Sequence, residues 1–229
     1  MKLNQSVVLN YHIQFSEDSN KKYKMNKVIK CTIVGDKGVG KTCLFYTYTR
    51  NKFPSYVPTV LDATSVNVRF RDKTYTLALF DTDDQCDEEA NIQFQESDIF
   101  LICFNLTSYI SFKNVKERWW KKILQINPNA KCLIVGTQSD KMITTEFSSM
   151  SLECRRNLST KLRNCQGYVE CSSYHGTGVN EVFNKVIEVY LQEDDSYCQI
   201  FIQIATLILI ILLLKFIAIN WREYFLKDV

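Results

Sequence analysis

The chain lacks any strong charge of one sign. Its 28 Lys and Arg stand against 25 Asp and Glu, a net of only +3 over 229 residues, so the overall balance gives no case for a nucleic-acid partner. No CxxC pair occurs among the nine cysteines. That spacing, with an odd count, excludes a disulfide scaffold or a zinc ribbon and fits a reduced, cytosolic chain. No internal repeat and no low-complexity tract is present. The short apolar stretch 7–9 is too brief for the core of a secretory signal. Glycine is scarce, seven in all, and three of the seven fall between 35 and 40.

Those glycines are the most informative feature. Residues 35–42 read GDKGVGKT and follow the apolar run VIKCTIV, which satisfies GxxxxGK[ST] placed after a strand. Glycines let backbone N–H groups curl around phosphates, and the helix that follows turns the positive end of its dipole toward them. Lys41 is placed to reach β- and γ-phosphates, and Thr42 to offer its hydroxyl to Mg²⁺. The chain therefore reads as phosphate-binding.

The hydrophobic fraction, 46%, supports a true core. Residues 1–26 form a polar, basic extension, read as flexible. Residues 1–30 hold six lysines against Glu17 and Asp18. Between 27 and 194 strand and helix signals alternate. Strands are expected at Val28–Val34, Thr64–Phe70, Tyr75–Phe80, Ile99–Phe104, Cys132–Gly136 and Tyr168–Ser172. A turn at Arg71-Asp72-Lys73 joins the second and third into a hairpin. Helices are expected at Lys41–Arg50, Ser111–Ile126, Ser148–Asn164 and Val179–Gln192, with Trp119 and Trp120 in the core and at its rim. The fold class is α/β, a doubly wound and mostly parallel six-stranded sheet. Such sheets take ligands at the carboxyl ends of their strands.

After Asp194-Asp195 the composition changes. Between Ile200 and Leu214 only Gln203 and Thr206 are polar. The 21 residues 199–219 would make a helix of roughly 30 Å, the thickness of a bilayer core. Lys215 can snorkel, and Trp221 and Tyr224 suit an interface. A single-pass membrane anchor is expected there, with a short tail at 220–229 and the nucleotide domain in the cytosol.

From Val28 to Gln192 the chain resembles a Ras-superfamily small GTPase, and within that group a Rho/Rac protein. The resemblance is carried by GDKGVGKTCL at 35–44, YVPTV at 56–60, FDT at 80–82, FLICF at 100–104 with SFKNV at 111–115, TQSD at 137–140 and ECS at 170–172. It implies a switch that binds GTP and GDP with Mg²⁺. The phosphate loop would be Asp36, Lys37, Gly38, Val39, Gly40, Lys41, Thr42 and Cys43. Metal ligands would be Thr42, Thr59 of switch I and Asp81. Catalysis would rest on Lys41, Thr59 and Gln85, the last orienting the attacking water. Phe53 would pack beside the base, Asp140 would take the guanine N1 and N2 hydrogens, and Ser172 and Ser173 would meet guanine O6. The effector surface would be switch I, with Tyr56, Val57, Pro58, Thr59, Val60, Leu61 and Asp62.

Departures from the pattern bear on activity. Lys37 stands where the family has glycine beside the γ-phosphate. Asp84 replaces the glycine whose N–H meets that phosphate. The two, opposite in sign, are expected to pair. Gln138 replaces the lysine that covers the base and braces the phosphate loop. Switch I is one residue short near Pro54, and 141–169 is too short for a full Rho insert helix. The final residues 226–229 carry no prenylation cysteine, so the apolar span takes its place. Hydrolysis is expected to be slow. The alternative is a constitutively GTP-bound or nucleotide-poor membrane adaptor that recruits effectors.

Overall fold

In a computed structural model of the protein, residues 28–56, 63–82, 88–144 and 151–225 are described. The elements run β1 (Val28–Gly35), α1 (Lys41–Arg50), β2 (Ala63–Phe70), β3 (Lys73–Asp81), α2 (Glu88–Glu96), β4 (Ile99–Asn105), α3 (Tyr109–Asn114), a π-helical turn (Val115–Trp120), α4 (Lys121–Ile126), β5 (Cys132–Thr137), a 3₁₀ turn (Ser139–Thr144), α5 (Leu152–Lys161), β6 (Cys165–Glu170) and α6 (Val179–Phe225). One sheet has the order β2-β3-β1-β4-β5-β6. Only the β2–β3 pair is antiparallel.

Burial explains the strand sequences. Every residue of β5 is buried, and all of β4 except Asn105, because helices cover both faces. The edge strand β2 alternates instead, its Val66, Val68 and Phe70 packing on the core. Arg71 and Asp72 hold φ 46° and 61°, the left-handed pair that a two-residue hairpin turn requires. One apolar cluster lies between the sheet and α1 with α6, around Ile33, Phe45, Leu101 and Phe183. The other lies under α2 to α5, around Phe94, Phe104, Trp119 and Ile134. The parallel strands bring Gly35, Asp81, Asn105, Thr137 and Glu170 to one edge.

Several elements differ from expectation: α2 is not among the expected helices, and α5 ends at Lys161 rather than Asn164. The helix read at Ser111–Ile126 starts at Tyr109, where Ser108 Oγ accepts the Ser111 N–H at 3.3 Å, and it widens into a π turn. The last strand starts at Cys165 rather than Tyr168 and ends at Glu170, because Gln166 and Gly167 interrupt its apolar pattern. Most telling, the helix expected to stop at Gln192 continues unbroken to Phe225. Of the span expected at 199–219, side chains are described for 202–211 and 214, and all are exposed. Among the described residues no helix is long and apolar enough to cross a membrane.

Candidate functional site

The site begins where β1 ends. Gly35 holds φ +147°, and a Cβ there would stand 2.3 Å from the Cys103 carbonyl oxygen. Only glycine lets the loop leave β1 pressed against β4. The loop then turns back so that the Val39 N–H reaches the Asp36 carbonyl at 3.4 Å. Gly40 (φ 104°) is the N-cap of α1 and supplies no side-chain cap. The first N–H groups of α1 thus remain turned toward the loop's concavity, which suits an anion.

Lys41 is buried, and its Nζ donates to the carbonyls of Gly35 (2.7 Å) and Asp36 (3.1 Å). Its ammonium therefore sits inside the loop's curl. Thr42 Oγ1 donates to Asp81 Oδ2 at 2.6 Å, which joins α1 to the end of β3. Thr82 Oγ1 fixes that end by donating to the Ile33 carbonyl at 2.7 Å. The loop is braced from the other side by Thr137, whose Oγ1 donates to the carbonyls of Val39 and Phe104.

Asp36 faces away from the concavity. Its carboxylate accepts from Asn114 Nδ2 (2.7 Å), Trp119 Nε1 (2.8 Å) and Arg118 Nη1 (3.4 Å). Asn114 and Trp119 are five residues apart, which in an α-helix puts them about 140° apart around the axis. The wider π turn brings them to one side. The helix is deformed where it meets the phosphate loop, and Trp119, read as core, is also a donor to that loop. Any part Asp36 takes in binding phosphate falls to its backbone.

Gln138, which replaces the family's lysine, reaches the phosphate loop. It holds φ 58°, and its Nε2 donates to the Gly38 carbonyl at 3.2 Å, while Lys141 Nζ donates to its Oε1 at 2.7 Å. A brace to the phosphate loop is present, made by an amide that a lysine three residues on holds in place. Sequence reading missed Lys141 because its role depends on the left-handed turn at Gln138.

At the far end of the edge, Ser172 Oγ donates to Asp140 Oδ1 and accepts the His175 N–H at 3.2 Å. Ser172 and Ser173 are buried. Thr47 Oγ1 donates to the Ser173 carbonyl at 3.3 Å, tying α1 to this loop. Phe53 lies edge-on to Tyr174, centroids 5.4 Å apart. Tyr174, 65% exposed, was not anticipated from the sequence, where an aromatic after ECSS carries no pattern of its own. The two rings stand nearly perpendicular, at 77°, Tyr174 in the stretch that follows Ser172 and Ser173 and Phe53 in the stretch that follows α1.

The thiols here stay protonated. Burial, then the Asp81 carboxylate, raises Cys43. Burial, then the Asp140 and Glu170 carboxylates, pushes Cys171 up to about 12. Neither is a nucleophile at neutral pH.

The arrangement can hold a polyphosphate at the loop and a flat, hydrogen-bonding ring at Asp140. Among the described residues no cluster of three or more His, Cys, Asp or Glu could cage a metal. A cation here would take most of its ligands from phosphate and water, as Mg²⁺ does, and Thr42 with Asp81 gives it two hard oxygens. Lys37 is exposed on the loop, and Tyr56 is 75% exposed. Thr59, Asp84, Gln85 and the rest of switch I (Val57 to Asp62) lie outside the described residues, and with them the pairing of Lys37 and Asp84. Of the anticipated residues, Lys41, Thr42, Asp81, Gln138, Asp140 and Ser172 lie along one edge of the sheet. The model of the Ras family matches residues 30–192.

Proposed function

The chain belongs to the Ras family, and from that premise we propose that it is a Rho-type GTP-binding switch, anchored in a membrane through α6, that hydrolyses GTP slowly. The observation that carries the reading is the meeting of Lys41, Thr42, Asp81, Gln138, Asp140 and Ser172 on one edge, phosphate-binding groups at one end and base-reading groups at the other.

In this reading Lys41 exchanges two carbonyls for β- and γ-phosphate oxygens. The N–H groups from Gly38 to Cys43 take the remaining phosphate charge. Asp140 accepts the two guanine hydrogens, and the Ser172 hydroxyl, by occupying one of its oxygens, fixes the carboxylate's plane. Phe53 and Tyr174 flank the base. Thr42, Asp81 and Thr59 would hold Mg²⁺, which would supply neutralisation of the developing phosphate charge. Gln85 orients water. Lys37 adds a side chain where the family leaves room for that water, which supports slow turnover. Effectors would read Tyr56 to Asp62. The Rho assignment rests on the motif strings at 35–44, 100–115 and 137–140.

The anchor is supported by the exposed apolar residues of α6, among them Ile202, Leu207, Ile208, Leu209 and Leu214. Lys37 also favours a second reading, in which turnover is lost and the protein recruits effectors while permanently GTP-bound.

The test is to purify the full chain in detergent with Mg²⁺, denature it and identify the released nucleotide by chromatography. Guanine nucleotide at one per chain is expected. An empty protein that takes up no added GTP overturns the switch. Single-turnover conversion of bound GTP to GDP separates the two readings. Flotation with liposomes, compared with a chain cut before residue 196, tests the anchor; equal flotation would refute it.

A further inference from the structure

Strands β5 and β6 both open on a cysteine, and the two are register partners, Cys132 opposite Cys165. Neighbouring strands lie about 4.7–4.9 Å apart, inside the Cα separations of about 4.4–6.8 Å that a disulfide accepts. Both side chains lie on the same face. Cys132 is fully buried in the cluster beneath α2 to α5, and Cys165 packs against that cluster while remaining half-buried. The sheet has slack here, since its register shifts between Cys132 and Ile134 and Gly167 holds φ +136°. The pair lies at the amino ends of the strands, the opposite edge from Gln138, Asp140 and Ser172, so nucleotide binding gives it no role.

We propose that Cys132 and Cys165 are a redox-sensitive pair that hydrogen peroxide converts to a reversible disulfide, with Cys165 attacking first. Cys165 can be reached from solvent, and Cys132 stands behind it as the resolving thiol. Hydrogen bonding from the Cys132 S–H, which outweighs burial, holds the Cys165 thiol below its ordinary range. The same contact, with burial, raises Cys132. Elsewhere Cys31 and Cys103 in the sheet, and Cys171 just after β6, are all raised, each first by burial, and are poor nucleophiles.

The chemistry balances. The Cys165 thiolate attacks one peroxide oxygen, an S–O bond forms, the O–O bond breaks, and the departing hydroxide takes a proton to leave as water. Cys132 sulfur then attacks Cys165 sulfur. An S–S bond forms, the S–O bond breaks, and the Cys132 proton leaves with the hydroxide as a second water. Two thiols lose two electrons and one peroxide gains them.

Cys154 supplies the internal control, because it is the exposed cysteine among those described. If exposure alone governs oxidation, Cys154 reacts first. The experiment treats the reduced full chain with graded hydrogen peroxide, quenches by alkylation, and maps peptides by mass spectrometry. A linked Cys132–Cys165 peptide, two hydrogens lighter than the reduced pair and cleared by dithiothreitol, is expected. Cys165 should lose its free thiol about tenfold faster than Cys154. In Cys132→Ser the link disappears and Cys165 accumulates a sulfenic acid that dimedone captures. In Cys165→Ser, Cys132 stays reduced. Oxidation of Cys154 ahead of Cys165, linkage to any other cysteine, or no linkage at all in the unaltered chain overturns the proposal. The wild-type result alone decides it, so a variant that folds poorly does not protect it.

Discussion

Replacing Asp36 by alanine removes one acceptor from three donors, and the structure sets how much each loss costs. The Arg118 contact is long, 3.4 Å, and the Arg118 side chain is 49% exposed, so that ion pair is worth about 0–1 kcal/mol. Asn114 and Trp119 are different. Their hydrogen bonds are short, at 2.7 and 2.8 Å, and end on a carboxylate only 17% exposed. Charge-assisted bonds of this kind contribute about 1.5–3 kcal/mol each. Trp119 is 1% exposed, so its indole N–H is left without an acceptor unless water enters the vacated space. Allowing for such water, the expected loss is about 3 kcal/mol. Asp36→Asn should lose about 2 kcal/mol, since its amide oxygen satisfies one donor while its NH₂ confronts the other. Urea unfolding at a fixed nucleotide concentration measures both. Trp119→Phe removes the N–H but keeps a ring, and the Asp36→Ala/Trp119→Phe cycle should give a coupling of about 1.5 kcal/mol. A coupling below about 0.5 kcal/mol would refute the bond. Hydrogen exchange adds a second readout, because the π turn exists to present both donors at once. In Asp36→Ala the amides of 115–120 should exchange faster, and unchanged exchange would mean that something else holds the turn.

Other outcomes follow from the same geometry. Gly178 holds φ +73° and a Cβ there would stand 2.3 Å from the Glu170 carbonyl oxygen, so Gly178→Ala should cost about 3 kcal/mol in urea unfolding; a loss under about 1 kcal/mol would contradict the packing. Gln138→Ala removes the brace to the Gly38 carbonyl and should speed guanine-nucleotide release about fivefold, near 1 kcal/mol, with Lys141→Ala smaller in the same direction; unchanged release from both would remove Gln138 from the site. Asp140→Ala should weaken GTP binding about 50-fold while leaving ATP binding alone, and equal losses for both would mean that Asp140 does not read the base. Burial raises the Cys31, Cys103 and Cys171 thiols above their ordinary value of 9.0, Cys171 to about 12, so unfolded chains ionise from pH 9 upward while the folded chain still holds these protons. Their contribution is therefore intact below pH 9 and lost as pH rises beyond it, at about 4 kcal/mol per pH unit for the three, and a flat urea midpoint between pH 8 and 10 would refute it.

The amino-acid pattern reveals most where local sequence and tertiary role coincide. The phosphate loop is such a place: glycine spacing, a preceding apolar run and a following helix all describe one turn. So are β4 and β5, whose unbroken apolar runs need cover on both faces. The pattern fails where a role depends on a distant partner. Trp119 reads as core by its spacing, and nothing local discloses that its N–H ends on Asp36. The π turn is invisible for the same reason, since it answers to a carboxylate 83 positions away in sequence. Among the residues of helix α2 whose side chains are described, Phe94 is the single fully buried apolar one, too little periodicity to mark the helix. Gln138 is instructive in another way. Judged as a substitution it is a loss, yet its left-handed backbone and Lys141 rebuild the contact with different atoms.

Helix α6 leaves the domain without a break, from Val182 and Phe183 in the core to the exposed apolar residues beyond 202. An unbroken helix fixes an angle as well as a distance. Each residue carries the chain forward about 1.5 Å and turns it about 100°. The face that the sheet presents is thus phased to the face that the apolar segment presents, like the two ends of a screw. One residue inserted between 193 and 198 would leave both ends folded and rotate one against the other by about 100°. Seven inserted residues would lengthen the shaft by about 10 Å and bring the faces back within about 20° of register. Whatever surroundings the apolar end occupies, the direction in which the nucleotide edge points is written into the length of this helix.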